Sequence, residues 1–204
     1  MNVILSTAYW PNILYFSILL NAEEVVIEQH ETFSKQTYRN RTEILSANGI
    51  LPLSIPIQHG SSKQETKNVR ISYSDNWQMR HWRAITSAYR NSPYFEFFED
   101  EIKPFYTEKT EYLLQYNLQQ LITIRKILKT DLKWDLSNEY QREYLSYKDL
   151  RDEIHPKIKT SLNAKATEPY YQTFGEKFGF VANLSLLDLL FNTGLESVRY
   201  LSTR

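Results

Sequence analysis

Residues 1–28 constrain the fold of this chain more than any other stretch, because their hydrophobic pattern changes twice there. No residue from Met1 to Ala22 is charged. Residues 2–6 read as a short strand, which Tyr9-Trp10-Pro11 ends. Pro11-Asn12 then opens ILYFSILL (13–20), apolar all round and so predicted as a buried helix. Residues 24–28, rich in β-branched side chains, read as a second strand. Strand, helix and strand at this spacing make a βαβ unit, whose strands run parallel. Their carboxyl ends then share one sheet edge, where α/β proteins usually place ligands. Tyr9 and Trp10 follow the first strand, and Gln29 and His30 follow the second, so the four are expected to be neighbours.

Other readings of this uncharged start fit less well. A secretory signal has a basic region before its apolar stretch, and here the first basic residue is Lys35. A spanning helix would be interrupted by Ser6, Thr7, Pro11 and Asn12. No integral membrane segment is therefore expected. The chain has no cysteine, which excludes thiol nucleophiles, thiolate metal sites and disulfides and suits a cytoplasmic protein. Lys+Arg and Asp+Glu are both 24, so no overall field favours nucleic acid.

Beyond residue 41 the pattern predicts a hairpin. Residues 42–47 and 50–57 flank Asn48-Gly49, a dipeptide favoured in tight primed turns. Pro52 and Pro56 share one parity and mark 50–57 as an edge strand. Residues 58–68 read as a polar surface loop. Helical spacing starts after Asn76, with Trp77, Trp82, Ile85 and Tyr89, and Ser92-Pro93 reads as a further helix start. Leu114, Leu118, Leu121 and Leu128 mark a long amphipathic helix within 107–129, while 131–168 is polar and weakly patterned. Asn183 is expected to cap a last core helix, 184–192, which Gly194 stops. The expected fold class is α/β, an N-terminal βαβ unit with a mixed sheet and a helical C-terminal half. It forms a single domain over 1–204, with an α/β core at 1–75.

Several common catalytic designs are excluded. Five glycines, at 49, 60, 175, 179 and 194, build no phosphate-cradling loop, and no G-x-S-x-G turn occurs. The histidines (30, 59, 81 and 155) lack metal-ligand spacing, so neither a metal nor a cofactor is expected. The stretch EQHETFSKQTYRNR (28–41) concentrates the remaining chemistry. If 37–41 entered the hairpin strand, Arg39 and Arg41 would share a face about 7 Å apart and clamp a phosphate or carboxylate. Lys35 would add a charge, and Gln36 and Asn40 would orient hydroxyls or amides. Alternatively, both arginines pair with Glu28, Glu31 or Glu43 at the surface. His30, at the ligand edge, is a candidate proton acceptor or a capping imidazole. His155, before Pro156, is a second polar candidate, and His81, between Trp77 and Trp82, reads as packed structure.

ILSTAYWPNILYFSILLNAEEVVIEQHETFSKQTYRNR near the start and YYQTFGEKFGFVANLSLLDLLFNTG near the end resemble the WbqC-like protein family. The proline-aromatic turn and K-Q-x-aromatic-x-N-R run of that family match Pro11 and Lys35, Gln36, Tyr38, Asn40 and Arg41. Its later motifs match Tyr170 and Gln172, then Leu184, Ser185 and Asp188. The chain departs from longer members at Ser6-Thr7, where they carry Gln-Pro. It also lacks a recognisable Gly-Ala…Tyr-Leu strand between 130 and 165, so a sheet strand is expected to be missing. The resemblance implies a setting in bacterial surface-polysaccharide (O-antigen) biosynthesis. There a nucleotide- or lipid-linked amino sugar is a natural ligand, and acyl or aminoacyl transfer a natural reaction. In that reading His30 is the base, Arg39, Arg41 and Lys35 hold phosphate, and Tyr9 and Trp10 wall the pocket. A non-enzymatic accessory protein of a glycan-assembly complex is the other reading.

Overall fold

A computed structural model describes residues 1–58, 60, 63–158 and 168–202. His59 lies outside these residues. β1 (Val3–Ser6), α1 (Ile13–Asn21) and β2 (Val25–Glu28) form the expected unit, with Val3 opposite Val25 and Ser6 opposite Glu28 in parallel register. α1 starts where Asn12 turns its side-chain oxygen back to accept from the Tyr15 N–H at 2.8 Å. Its all-round apolar surface is answered by burial: Ile13, Leu14, Tyr15, Phe16 and Leu19 are in the core.

The sheet has four strands in the order β5 (Asp135–Leu136), β2, β1, β6 (Lys148–Asp149), and every pairing is parallel. Both outer strands come from 131–168, the stretch in which a strand was expected to be missing. That expectation is corrected. Each outer strand is two residues long, too short for an alternating pattern to register. The chain runs β1 to β2 and outward to β5, then returns to β6 on the far side of β1, so the strand order reverses between β1 and β6.

β3 (Arg41–Ser46) and β4 (Gly49–Ser54) pair antiparallel in a sheet of their own. The strand complement is thus mixed, as expected, with its parallel and antiparallel pairings in separate sheets. Ala47-Asn48 forms the turn and Gly49 takes the positive φ (+101°), so the primed turn centred on Asn48-Gly49 is replaced by one whose single positive φ falls on glycine, which adopts it without strain. Leu53 and Ile55 are buried while Pro52 and Ser54 are exposed, the expected alternation. The strand stops at Ser54 instead of 57, and Ile57 makes a single bridge to Ile71. The 58–68 stretch is more than a surface loop. Around the 3-10 turn Thr66–Asn68 it is stitched to the segment after β2 by Phe33 N–H to Gln64 O, Thr66 N–H to Glu31 O and Lys67 N–H to Gln29 O, each 2.9 Å.

The second half is largely helical, as expected: α2 (Trp77–Tyr89), α3 (Phe95–Ile102), α4 (Pro104–Thr107), α5 (Leu113–Leu128), α6 (Gly175–Phe178), α7 (Leu186–Thr193) and α8 (Ser197–Ser202). Ser92-Pro93 lies before α3 without capping it, because the Ser92 hydroxyl donates to Tyr89 O. Gly194 ends α7 at φ +60°, but Ser185 is its N-cap. Asn183 instead accepts from the Leu14 N–H at 2.9 Å, while Leu184 O accepts from the Ile13 N–H at 3.0 Å. The segment before α7 therefore seals the N-terminus of α1. Every residue of α7 is buried, among them four leucines worth roughly 1.5–3 kcal/mol each. The core around it is aromatic: Trp10, Trp77, Tyr9, Tyr89, Tyr116, Phe16, Phe95 and Phe191 are all fully buried. No helix among the described residues is long and apolar enough to cross a membrane.

Candidate functional site

The carboxyl ends of β1, β2 and β6 place Ser6, Glu28 and Asp149 at one edge, and a cleft of about 520 Å³ opens beside them. It lies at the reversal of strand order, where loops leave a parallel sheet in opposite directions. His30, Glu31, Arg39, Tyr140, Arg142, Asp149, Arg151 and Asp152 line it. The crevice directly between β1 and β6 is almost filled, with about 10 Å³ left, because the Ser6 hydroxyl reaches Glu31 Oε2 (3.3 Å) and Arg151 O (3.2 Å).

Two ion pairs frame the cleft, one buried and one half-exposed through its carboxylate. Arg39 donates from Nε to Glu31 Oε1 at 2.7 Å and from Nη2 to Oε2 at 2.6 Å, a bidentate fork. Its Nη1 takes no part in that fork. Arg151 forks onto Asp149 through Nε and Nη2 and also donates to Gln141 O and Arg142 O. Burial works to raise the Asp149 carboxyl, but the Arg151 hydrogen bonds outweigh it and hold the group below its ordinary value. Those same bonds raise the Arg151 guanidinium, which stacks against Tyr140 and Tyr144. Arg142 lines the cleft exposed, with no ion pair among the described residues.

Beneath lies Glu28, fully buried. It accepts from the His30 N–H (2.7 Å), the Ser137 hydroxyl (2.6 Å) and the Tyr144 hydroxyl (2.7 Å), with Arg151 Nη1 at 3.6 Å. Burial and the bond to this carboxylate push the Tyr144 phenol up to about 12. Glu28 therefore ties the end of β2 to the 137–151 segment.

His30 sits on this edge, as its position after β2 predicts, with 15% of its side chain exposed. Its Nδ1 is 3.1 Å from Lys67 Nζ and 3.3 Å from Glu65 Oε1. His155 lies near Arg39 and Asp152, and its imidazole is lowered by burial and then by the charges of Lys157 and Arg39. Asp152 is nearly fully exposed, 4.0 Å from Arg39. The cleft thus brings His30 and Arg39 together, while His155 is not among the residues that line it.

The other candidates lie elsewhere. Tyr9 is fully buried and hydrogen-bonds His81 Nδ1 and the Tyr106 hydroxyl, each at 3.0 Å; it does not wall the cleft, and neither does the buried Trp10. The reason is that the chain turns inward after β1, with Trp10 at φ +35° and its N–H on Gln120 Oε1. His81 is packed structure, as expected, and burial pushes it down to about 4. Arg39 precedes β3 in a turn, so it does not share a strand face with Arg41. Arg41 instead pairs with Glu43 at 2.8 Å. Glu31 and Glu43 are the partners the pairing alternative named, but the Arg39 pair is buried instead of surface-bound. Lys35 and Gln36 are exposed in a turn, with Gln36 at φ +59°. The buried Asn40 donates to Ile55 O at 2.9 Å, fixing the hairpin. Gln172 and Asp188 meet in a separate buried network: Asp188 accepts from Tyr89, Tyr170 and Gln172, and burial raises its carboxyl despite those three bonds.

Sequence reasoning missed Arg142, Asp149, Arg151, Glu65 and Lys67. The first three lie in the weakly patterned stretch, where only the unrecognised β6 could have pointed to them. Among the described residues no three His, Cys, Asp or Glu side chains are grouped to hold a metal ion. A second hollow of about 500 Å³, lined mainly by Tyr94, Phe97, Phe98, Ile127 and Leu195, offers no comparable polar convergence.

No solved structure matches the chain. It is 28% identical over 225 residues to the uncharacterized protein Rv1507c of Mycobacterium tuberculosis (strain ATCC 25618 / H37Rv), covering 97% of this chain and 96% of that protein. The model of the WbqC-like protein family matches residues 7–167, most of the chain, with the 28–41 stretch and the cleft arginines inside the match; the chain belongs to that family.

Proposed function

We propose that the cleft binds an activated amino sugar, nucleotide- or lipid-linked, and transfers an acyl or aminoacyl group in bacterial surface-polysaccharide biosynthesis, in the cytoplasm. The observation that carries this reading is the convergence of His30, Arg39 and Arg142 on one cleft at the carboxyl edge of a parallel sheet. His30 takes the proton as the sugar amine attacks the acyl carbon and the bond to the acyl carrier breaks. Arg142 and Arg39 Nη1, which the Glu31 fork leaves out, donate to the anionic part of the ligand, and the Tyr140 ring walls it. Calorimetric titration with UDP- and dTDP-linked amino sugars tests the reading. Arg142→Ala is expected to weaken binding about tenfold, the loss of one charge-assisted contact. Absence of binding by every such sugar, with Arg142→Ala changing no ligand's affinity, rejects it.

The accessory-protein reading draws on the same geometry, because both buried cleft arginines are already engaged by carboxylates. It expects a folded His30→Ala variant to retain cellular function, and loss of function in that variant decides against it.

A further inference from the structure

Glu65 and Lys67 stand beside the imidazole of His30 in an arrangement that the cleft alone does not require. The backbone sets them there. Thr32 and Glu65 form an antiparallel bridge, and the Lys67 N–H donates to Gln29 O at 2.9 Å, so the residues on both sides of His30 hold this segment in register. Glu65 Oε1 and Lys67 Nζ both address the same ring nitrogen, Nδ1, at 3.3 and 3.1 Å, and Lys67 Nζ is 3.4 Å from Glu65 Oε2. Nε2 has no hydrogen-bond partner among the described residues.

These distances conflict in one respect. A carboxylate only accepts and an ammonium only donates. Nδ1 of a neutral imidazole either carries a proton, which Glu65 accepts, or carries a lone pair, to which Lys67 donates. It cannot do both. In the first arrangement Nε2 presents a lone pair and is a base; in the second Nε2 carries the proton and is a hydrogen-bond donor only. We propose that Glu65 and Lys67 are a positioning pair that selects the tautomer of His30, Glu65 favouring the base and Lys67 the form whose Nε2 only donates a hydrogen bond. Transfer to a sugar amine uses the first: Nε2 takes the proton as the nitrogen attacks, and the imidazolium so formed returns that proton from Nε2 to the departing carrier. That cycle ends on the tautomer it began from, with the Nδ1 proton still facing Glu65, so the ring does not move. The inference rests on the reading of His30 as the acid–base group of the cleft.

The test needs no ligand, so its failure and the failure of that reading are separate. The full chain is labelled with 15N-histidine, and long-range 1H–15N spectra are recorded at about pH 9, above the ordinary imidazole range. The His30 signals are identified by their loss in His30→Gln. Both partners are partly exposed, so Glu65→Ala and Lys67→Met are expected to fold, which circular dichroism checks. Glu65→Ala is expected to shift His30 toward the Nε2–H tautomer and Lys67→Met toward Nδ1–H. Each shift is about tenfold, one charge-assisted hydrogen bond reduced by exposure. The opposed directions are the signature, since a merely structural pair would leave the tautomer alone. Identical spectra in both variants, or shifts in the same direction, overturn the proposal.

Discussion

Arg39 and Glu31 keep only 5% and 8% of their side chains exposed, so removing either partner strands a charge in a poorly hydrated place. Arg39→Ala or Glu31→Gln is expected to lower unfolding stability by about 3–5 kcal/mol in urea titrations. The double replacement Arg39→Met/Glu31→Leu is expected to cost less than either single change, because no charge is then left alone; an additive double variant would contradict this. Asp188 gives a pH dependence of the opposite kind from most carboxyls. Burial raises it in the folded protein above its ordinary value of 3.8. Its contribution is therefore complete below that value and is lost as pH rises through the higher folded one. Denaturation midpoints taken across the acid range should show Asp188→Asn removing that decline. At this scale the sequence revealed residue types but not their partners. His30 could be placed at the ligand edge because position after a strand follows from the βαβ unit. Tyr9 could not be placed, because the inward turn at Trp10 depends on Gln120, 110 residues away.

Glu28 binds two elements across more than a hundred residues, accepting from Ser137 and Tyr144 while lying beside Arg151. Glu28→Ala leaves those donors unmatched and should destabilise by about 3 kcal/mol or more. It should also speed amide exchange across 137–151 more than across the hairpin, 41–54, which makes no bond to Glu28. Equal changes in both regions would show that Glu28 acts on the whole fold and not on this tie. The elements themselves were legible in proportion to their length. α1, α2 and α5 repeat their patterns for two turns or more and lie close to where the spacing put them. β5 and β6, two residues each, leave no period to read, and their pairing with β2 and β1 comes from tertiary hydrogen bonds such as Lys148 N–H to Asn2 O. The cleft inherits that blindness, since half its wall comes from residues 140–152, in and around β6.

Across the molecule, the family match ends at residue 167, yet the packing does not. Leu184 and Asn183 complete α1, the Ser17 hydroxyl donates to Leu201 O, and α7 fills the core. Unfolding by heat or urea is expected to be a single transition, coincident by far-ultraviolet circular dichroism and tryptophan fluorescence. Ending the chain at Ala182 should abolish that transition. Two separated transitions, or a folded truncated chain, would show that the ends are independent. The sealed start of α1 has one more consequence. In many parallel-sheet proteins the first helix offers its free N–H groups to a phosphate, and that contact is made by backbone common to every sequence of the fold. Here those groups face Asn12, Asn183 and Leu184 instead. Recognition at the cleft is left to replaceable side chains, so point substitutions can retune the ligand while the backbone stays as it is. Relatives sharing this plug are expected to differ in what they bind long before they differ in shape.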